Sequence, residues 1–172
     1  MFENWKQLIP SDFNDGSRVW IYQASRFFFM SEALEIEAML EDFVESWQSH
    51  GHPVKGYGNL LFGQFIILMA DEAQSSVSGC STDSSVRLIK SVEEKFRVTM
   101  FDRMNLAFVV KDKVELLPLA HLNHAMENGF ITSETIYFNN TILNKKALLN
   151  QWLIPVKDSW LAGRLQTHAK TS

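Results

Sequence analysis

The chain has 172 residues, 46% of them hydrophobic and 21% charged, with a net charge of -4 and a single cysteine. That balance fits one domain with a real core and excludes disorder. It also removes any general attraction to nucleic acid or anionic lipid, any intramolecular disulfide and most thiolate metal sites.

No stretch approaches the roughly 20 apolar residues a membrane span needs. The start, MFENWKQLIPSDFNDG, has no basic segment followed by an apolar one, so no export signal is expected. The expectation is a cytoplasmic chain without membrane or nucleic-acid partners. Nothing in the sequence asks for a cofactor.

Residues 1–17 read as a polar, irregular arm that Phe2, Trp5, Leu8 and Ile9 can pin to the body. Arg18–Arg26 reads as a first strand, rich in β-branched and aromatic residues. Val19, Ile21 and Gln23 fall on one face, and Arg18, Trp20 and Tyr22 on the other. Ser31–Ser49 carries a broad apolar stripe at helical spacing, with Ser31 as the expected cap and Gly51 and Pro53 as stops. Val54–Phe62 reads as a second strand. Gly56 and Gly58 there mark a bulge or a close approach by another group. Gly63-Gln64 predicts a tight turn. Phe65–Ala70 (FIILMA) is a strand apolar on both faces, which demands cover on both sides.

A polar turn follows, and a helix is predicted from about Thr82 to Phe96. Met104–Val110 reads as a fourth strand and Lys111–Lys113 as a hairpin tip leading into Val114–Leu117. A short helix is expected from Pro118 to Asn128, ended by Gly129. Residues 130–138 admit a short helix or a strand. Lys145–Trp152 has a helical pattern stopped by Pro155, and the last ten residues are expected to fray.

The first 110 residues therefore read β-α-β-β-α-β, the order of a ferredoxin-like split unit in the α+β class. The expected organisation is a single domain over 1–172, with a ferredoxin-like core at 18–110 and an extension at 111–172 packed on it. The sheet face opposite the helices needs cover. Either the C-terminal sixty residues or a second copy of the chain can supply it.

Chemistry concentrates in one place. The order strand, polar turn, helix gathers Ser78, Gly79, Cys80, Ser81, Thr82, Asp83, Ser84 and Arg87 at a helix N-terminus, where unpaired backbone N–H groups and the helix dipole favour an anion. Ser81, Thr82 and Ser84 are candidate donors, Arg87 a candidate charge, and Ser81, Thr82 or Asp83 a candidate cap. Arg18 and Arg26 are candidates to reach in from the first strand. The same residues can instead serve only as a cap and local turn.

Cys80 at that helix start is a candidate nucleophile, with His50 or His52 as its base. The alternative is a small buried hydrophobe. A metal shared by His50 and His52 would need distant ligands such as His121 and His124, and none is expected. No Walker A or G-x-G-x-x-G pattern is present, so nucleotide hydrolysis has no support. The interleaved Arg18, Trp20, Tyr22 and Arg26 form too short a pattern, on too acidic a chain, for a nucleic-acid surface.

WIYQASR (20–26), FVESWQSHGHPVKG (43–56), SGCSTDSSVRLIK (78–90), FDRMNLAF (101–108) and PVKDSW (155–160) together resemble a family of small Bacteroidota proteins that often carry the label "ABC transporter ATPase". The resemblance covers nearly the whole chain, with Thr82 where relatives have Ile. The label implies a Walker A loop, which this chain lacks, so the resemblance implies no activity. From the residues themselves, the leading expectation is a regulatory or binding domain for a small anionic ligand or a protein partner at 78–87. A Cys80-dependent enzyme and a homodimeric interaction protein are the alternatives.

Overall fold

The computed structural model describes residues 2–71 and 79–169; the side chains at 79–81 and 166–169 lie outside that description. The fold is mixed α+β, with helices and several antiparallel sheets. It divides into two compact units, Met1–Asp102 with Thr141–Leu149, and Arg103–Asn140 with Asn150–Ser172. Among the described residues no helix is long and apolar enough to cross a membrane.

In the first unit, β1 (Arg18–Gln23) is followed by α1 (Met30–Ser46). Ser31 is not the cap of α1. The cap position is Phe29, and its backbone N–H donates to the Glu32 carboxylate at 2.8 Å. The helix stops at Ser46 because a two-strand ribbon follows at once, β2 (Gln48–Ser49) against β3 (His52–Pro53). His50 (φ 51°) and Gly51 (φ 79°) form its tip, and both adopt the left-handed conformation that a tight hairpin requires.

Next come β4 (Lys55–Leu61) and β5 (Phe65–Asp71). The turn between them centres on Phe62 (φ 55°) and Gly63 (φ 63°), one residue earlier than expected. Gln64 is buried, and its side chain donates to Ala24 O at 3.0 Å. α2 (Gly79–Phe96) completes the helices of this unit's sheet.

The sheet order is β1-β5-β4, all antiparallel. Its central strand is wholly buried from Phe65 to Ala70, as an apolar run covered on both faces must be. On one face Ile66, Leu68, Ala70 and Tyr22 join Ile36 and Leu40 of α1 and Ile89 and Val92 of α2 in one core. A Cβ on Gly58 would stand 3.4 Å from Leu40, and one on Gly56 would stand 2.7 Å from Cε3 of Trp47. These glycines mark the close approach of α1.

The other face is covered within this unit by the N-terminal arm. Trp5, Ile9 and Phe13 are buried. The Tyr57 hydroxyl donates to Leu8 O at 2.8 Å, and the Lys55 ammonium reaches Asp12 O at 2.6 Å. Lys145, 5% exposed, donates from Nζ to Phe13 O at 2.6 Å and Ser11 O at 3.2 Å, locking the arm's far end.

The expected fourth strand does not join this sheet. At the outer edge of β1, the Val19 N–H donates to Leu143 O at 3.0 Å, and Arg18 bridges Asn144. The strand near 104–110 is β6 (Asn105–Val110) of the second unit. There it pairs with β7 (Lys113–Pro118) and β8 (Ile136–Phe138), and β8 pairs in turn with β9 (Leu153–Pro155). Lys111 and Asp112, both at positive φ, form the predicted tip between β6 and β7.

α3 (Leu122–Glu127) follows a single 3-10 turn at Leu119–His121, and Gly129 at φ 69° lies just beyond its end. Leu106, Phe108, Leu122, Tyr137, Val156 and Leu161 form the core of this unit. α4 (Lys145–Gln151) is the predicted helix, but β9 begins only two residues after it. α5 (Ala162–Ala169) runs into the tail expected to fray, and residues 170–172 lie outside the described ones.

Candidate functional site

α1 and α2 run antiparallel over the sheet. Lys95 near the end of α2 pairs with Glu35 near the start of α1 at 2.6 Å. The other ends therefore meet, and a groove of about 310 Å³ opens between them. The end of α1 contributes Phe43, Ser46 and Trp47, and β2 contributes Gln48. α2 contributes Ser84, Arg87, Leu88 and Ser91, one helical face at i, i+3, i+4 and i+7.

One wall is apolar. The Phe43 and Trp47 rings lie 4.8 Å apart at 40°, and Trp20 backs Trp47 at 5.6 Å. The Trp47 indole is 2% exposed, and its Nε1–H has no hydrogen-bond partner. The other wall is polar. The exposed Arg87 side chain donates from Nη2 to Ser84 Oγ at 2.9 Å. Ser46 Oγ donates to Asp42 O at 2.8 Å, and Ser91 Oγ donates to Arg87 O at 3.0 Å.

Of the residues singled out by sequence, the groove brings together Ser84 and Arg87. Within the groove Ser84 Oγ accepts from Arg87. Helical backbone runs from Gly79, so Thr82 and Asp83 lie inside α2 and do not cap it. Thr82 O accepts from Ser85 Oγ at 2.7 Å, and Asp83 is exposed. Ser85 is fully buried, with its hydroxyl 3.3 Å from that of Tyr22. Ser78 lies outside the described residues, as do the side chains of Cys80 and Ser81, and Gly79 is the first residue of α2.

Arg26 does not reach the start of α2. Its guanidinium grips Glu32 with two bonds of 2.8 and 2.9 Å and donates to Phe96 O at 2.7 Å. Phe96 is nine residues beyond Arg87, about 13 Å along the helix. The grip ties the chain after β1 to the start of α1 and the end of α2, and it holds the Glu32 carboxyl below its ordinary range. Arg18 lies over the Trp20 ring at 4.9 Å and does not line the groove.

His50 and His52 are exposed on the β2–β3 ribbon, and neither lines the groove. The proposed pairing with Cys80 involves a side chain outside the described residues. Among the described residues no three His, Cys, Asp or Glu side chains gather as metal ligands.

Phe43, Ser46, Trp47, Gln48, Leu88 and Ser91 are groove residues that sequence reading did not single out as a site. The α2 members share a face with Ser84 and Arg87, a signal visible in the spacing. The α1 members carry no such signal, because their place depends on how the two helices pack. No protein-family model, curated protein or solved structure matches this chain.

Proposed function

We propose that the first unit is a ligand-binding module that takes a small anion-bearing molecule in the groove between α1 and α2, with Arg87 as the charge anchor. One observation carries this reading. Arg87 is exposed in the groove and forms no ion pair among the described residues, whereas Arg26, Lys55, Lys95 and Lys157 each hold a carboxylate. A guanidinium that gives one N–H to Ser84 and holds no carboxylate among the described residues keeps N–H groups for a carboxylate or phosphate. The groove volume falls at the small end of the usual range for ligand sites, about 300–1,000 Å³.

The unit itself is read as a ferredoxin-like variant. Strands β4, β5 and β1 stand in the order that the second, third and first strands of that split unit take, and its two helices share one sheet face. The place of the fourth strand is held by the single bridge to Asn144.

Calorimetric titration with acetate, inorganic phosphate and benzoate tests the binding proposal. At least one is expected to bind saturably, with affinity at least tenfold lower in Arg87→Gln. Absence of binding by all three, or an Arg87→Gln variant that binds equally well, would end this reading.

A further inference from the structure

We propose that the outer face of α1 docks a basic amphipathic helix of a partner protein, with apolar side chains at one end of the partner's contact stripe and Lys or Arg along the rest. The face is written in α1 itself. Met30, Leu34, Glu37, Glu41 and Glu45 recur at intervals of three and four, so they stand in one line down the helix. The line is about 22 Å long, at 1.5 Å per residue. Phe43 and Ser46, which line the groove, sit roughly 120–180° around the helix from Glu37 and Glu41. The proposal therefore does not rest on the anion reading.

The first end of the line is apolar. Phe29, Met30 and Leu34 are 68%, 78% and 61% exposed, so the core gains little from them. Phe29 is held under the Arg26 guanidinium, 5.2 Å from its ring, and Glu32 holds Arg26 in turn. Neighbouring apolar side chains kept in water mark a contact surface, where single scattered ones would not. The rest of the line is acidic. Glu32 and Glu35 are paired with Arg26 and Lys95. Glu37, Glu41 and Glu45 are exposed and form no ion pair among the described residues. α1 carries no Lys or Arg. Like charges four residues apart oppose one another, and the negative end of the helix dipole opposes Glu45 in the last turn. These carboxylates weaken the helix that carries them, and cations from a partner relieve it. That complementarity selects the occupant. A second copy of this chain brings a net charge of -4, and nucleic acid or anionic lipid brings the same sign. A helix with Lys or Arg at four-residue spacing meets the three carboxylates turn for turn, while its apolar end covers Met30 and Leu34.

The test uses the full chain and two labelled, alanine-based helical peptides. Each carries two Leu and three Lys on one face at four-residue spacing, with the Leu end first in one and last in the other. Anisotropy titrations at low salt are expected to show saturable binding of at least one of them. Glu37→Gln with Glu41→Gln and Glu45→Gln should weaken it at least tenfold, and Leu34→Ser at least threefold. Arg87→Gln should leave it unchanged. The triple variant should melt no lower than the parent, which separates lost binding from lost fold. Binding of neither peptide, or binding that survives the triple variant, would overturn the proposal. Indifference to Leu34→Ser would reduce the face to a general attraction for cations and overturn it equally. Weakening by Arg87→Gln would put the peptide in the groove instead. Light scattering that shows a dimer broken by Leu34→Ser would give the face to a second copy, against the proposal.

Discussion

Replacing Gly56 with alanine tests whether α1 really lies against β4 as closely as the groove requires. The added Cβ would stand 2.7 Å from Cε3 and 3.3 Å from Cζ3 of Trp47, with Val44 Cγ1 at 3.7 Å. Carbon atoms at contact sit about 3.5–4.0 Å apart, so the indole or the strand must shift by close to 1 Å. The indole has little room, being 2% exposed and wedged by Trp20 and Phe43. Overpacking of this kind costs about 1–3 kcal/mol. Alanine recovers about 0.4–1 kcal/mol by restricting the unfolded chain. The expected net loss is about 1–2 kcal/mol. With a urea slope of about 2 kcal/mol/M, the midpoint should fall by roughly 0.5–1 M. Gly58→Ala should cost less, because its neighbours at 3.2 and 3.4 Å are aliphatic carbons of Leu68 and Leu40. Gly16→Ala should be neutral or slightly stabilising, since nothing lies within 4 Å. Equilibrium unfolding by tryptophan fluorescence and circular dichroism ranks the three. A Gly56→Ala protein as stable as the parent, or less affected than Gly58→Ala, would refute the packing argument.

Lys145→Met keeps the aliphatic stem and removes the ammonium that caps Phe13 O and Ser11 O. Leaving those carbonyls without their donor should cost about 1–3 kcal/mol and speed limited proteolysis within residues 2–17; an unchanged digestion rate would contradict the locking role. The hydrogen bonds from Arg26 depress the Glu32 pKa below its ordinary 4.5 in the folded protein. The pair's contribution is therefore complete above that value and lost as the pH falls through the lowered one. The stability gap between the parent and Glu32→Gln should be widest at neutral pH and shrink in acid; a gap independent of pH would sink that reading. At the ribbon tip, His50→Gly should fold as well as the parent. His50→Val should lose about 1–2 kcal/mol, since a β-branched residue resists the left-handed backbone at φ 51°. Equal thermal midpoints for those two variants would rule the conformational argument out.

Local periodicity and turn chemistry settle a good part of this chain. The stripes of α1 and α2, the doubly covered FIILMA strand and the Lys111-Asp112 tip follow from spacings of 3.6 and 2 and from which residues tolerate positive φ. Gly56 and Gly58 announce a close approach, although not that Trp47 and Leu40 make it. Arg87 stands out as a charge beside hydroxyls.

Partnership across long stretches of sequence is decided by packing alone. Nothing local to Asn105–Val110 says that it pairs with Ile136–Phe138, or that Leu143 and Asn144 take the edge of β1. A strand's pattern encodes which face is apolar but not which neighbour it joins. Arg26 looks as available as Arg87 until a helix start places Glu32 within its reach. The groove exists because two antiparallel helices bring residues 43–48 against residues 84–91. Its hydrogen-bond character turns on which carbonyl each serine finds within its own helix. Faces are written residue by residue, whereas the meeting of two faces is a property of the whole core that buries them.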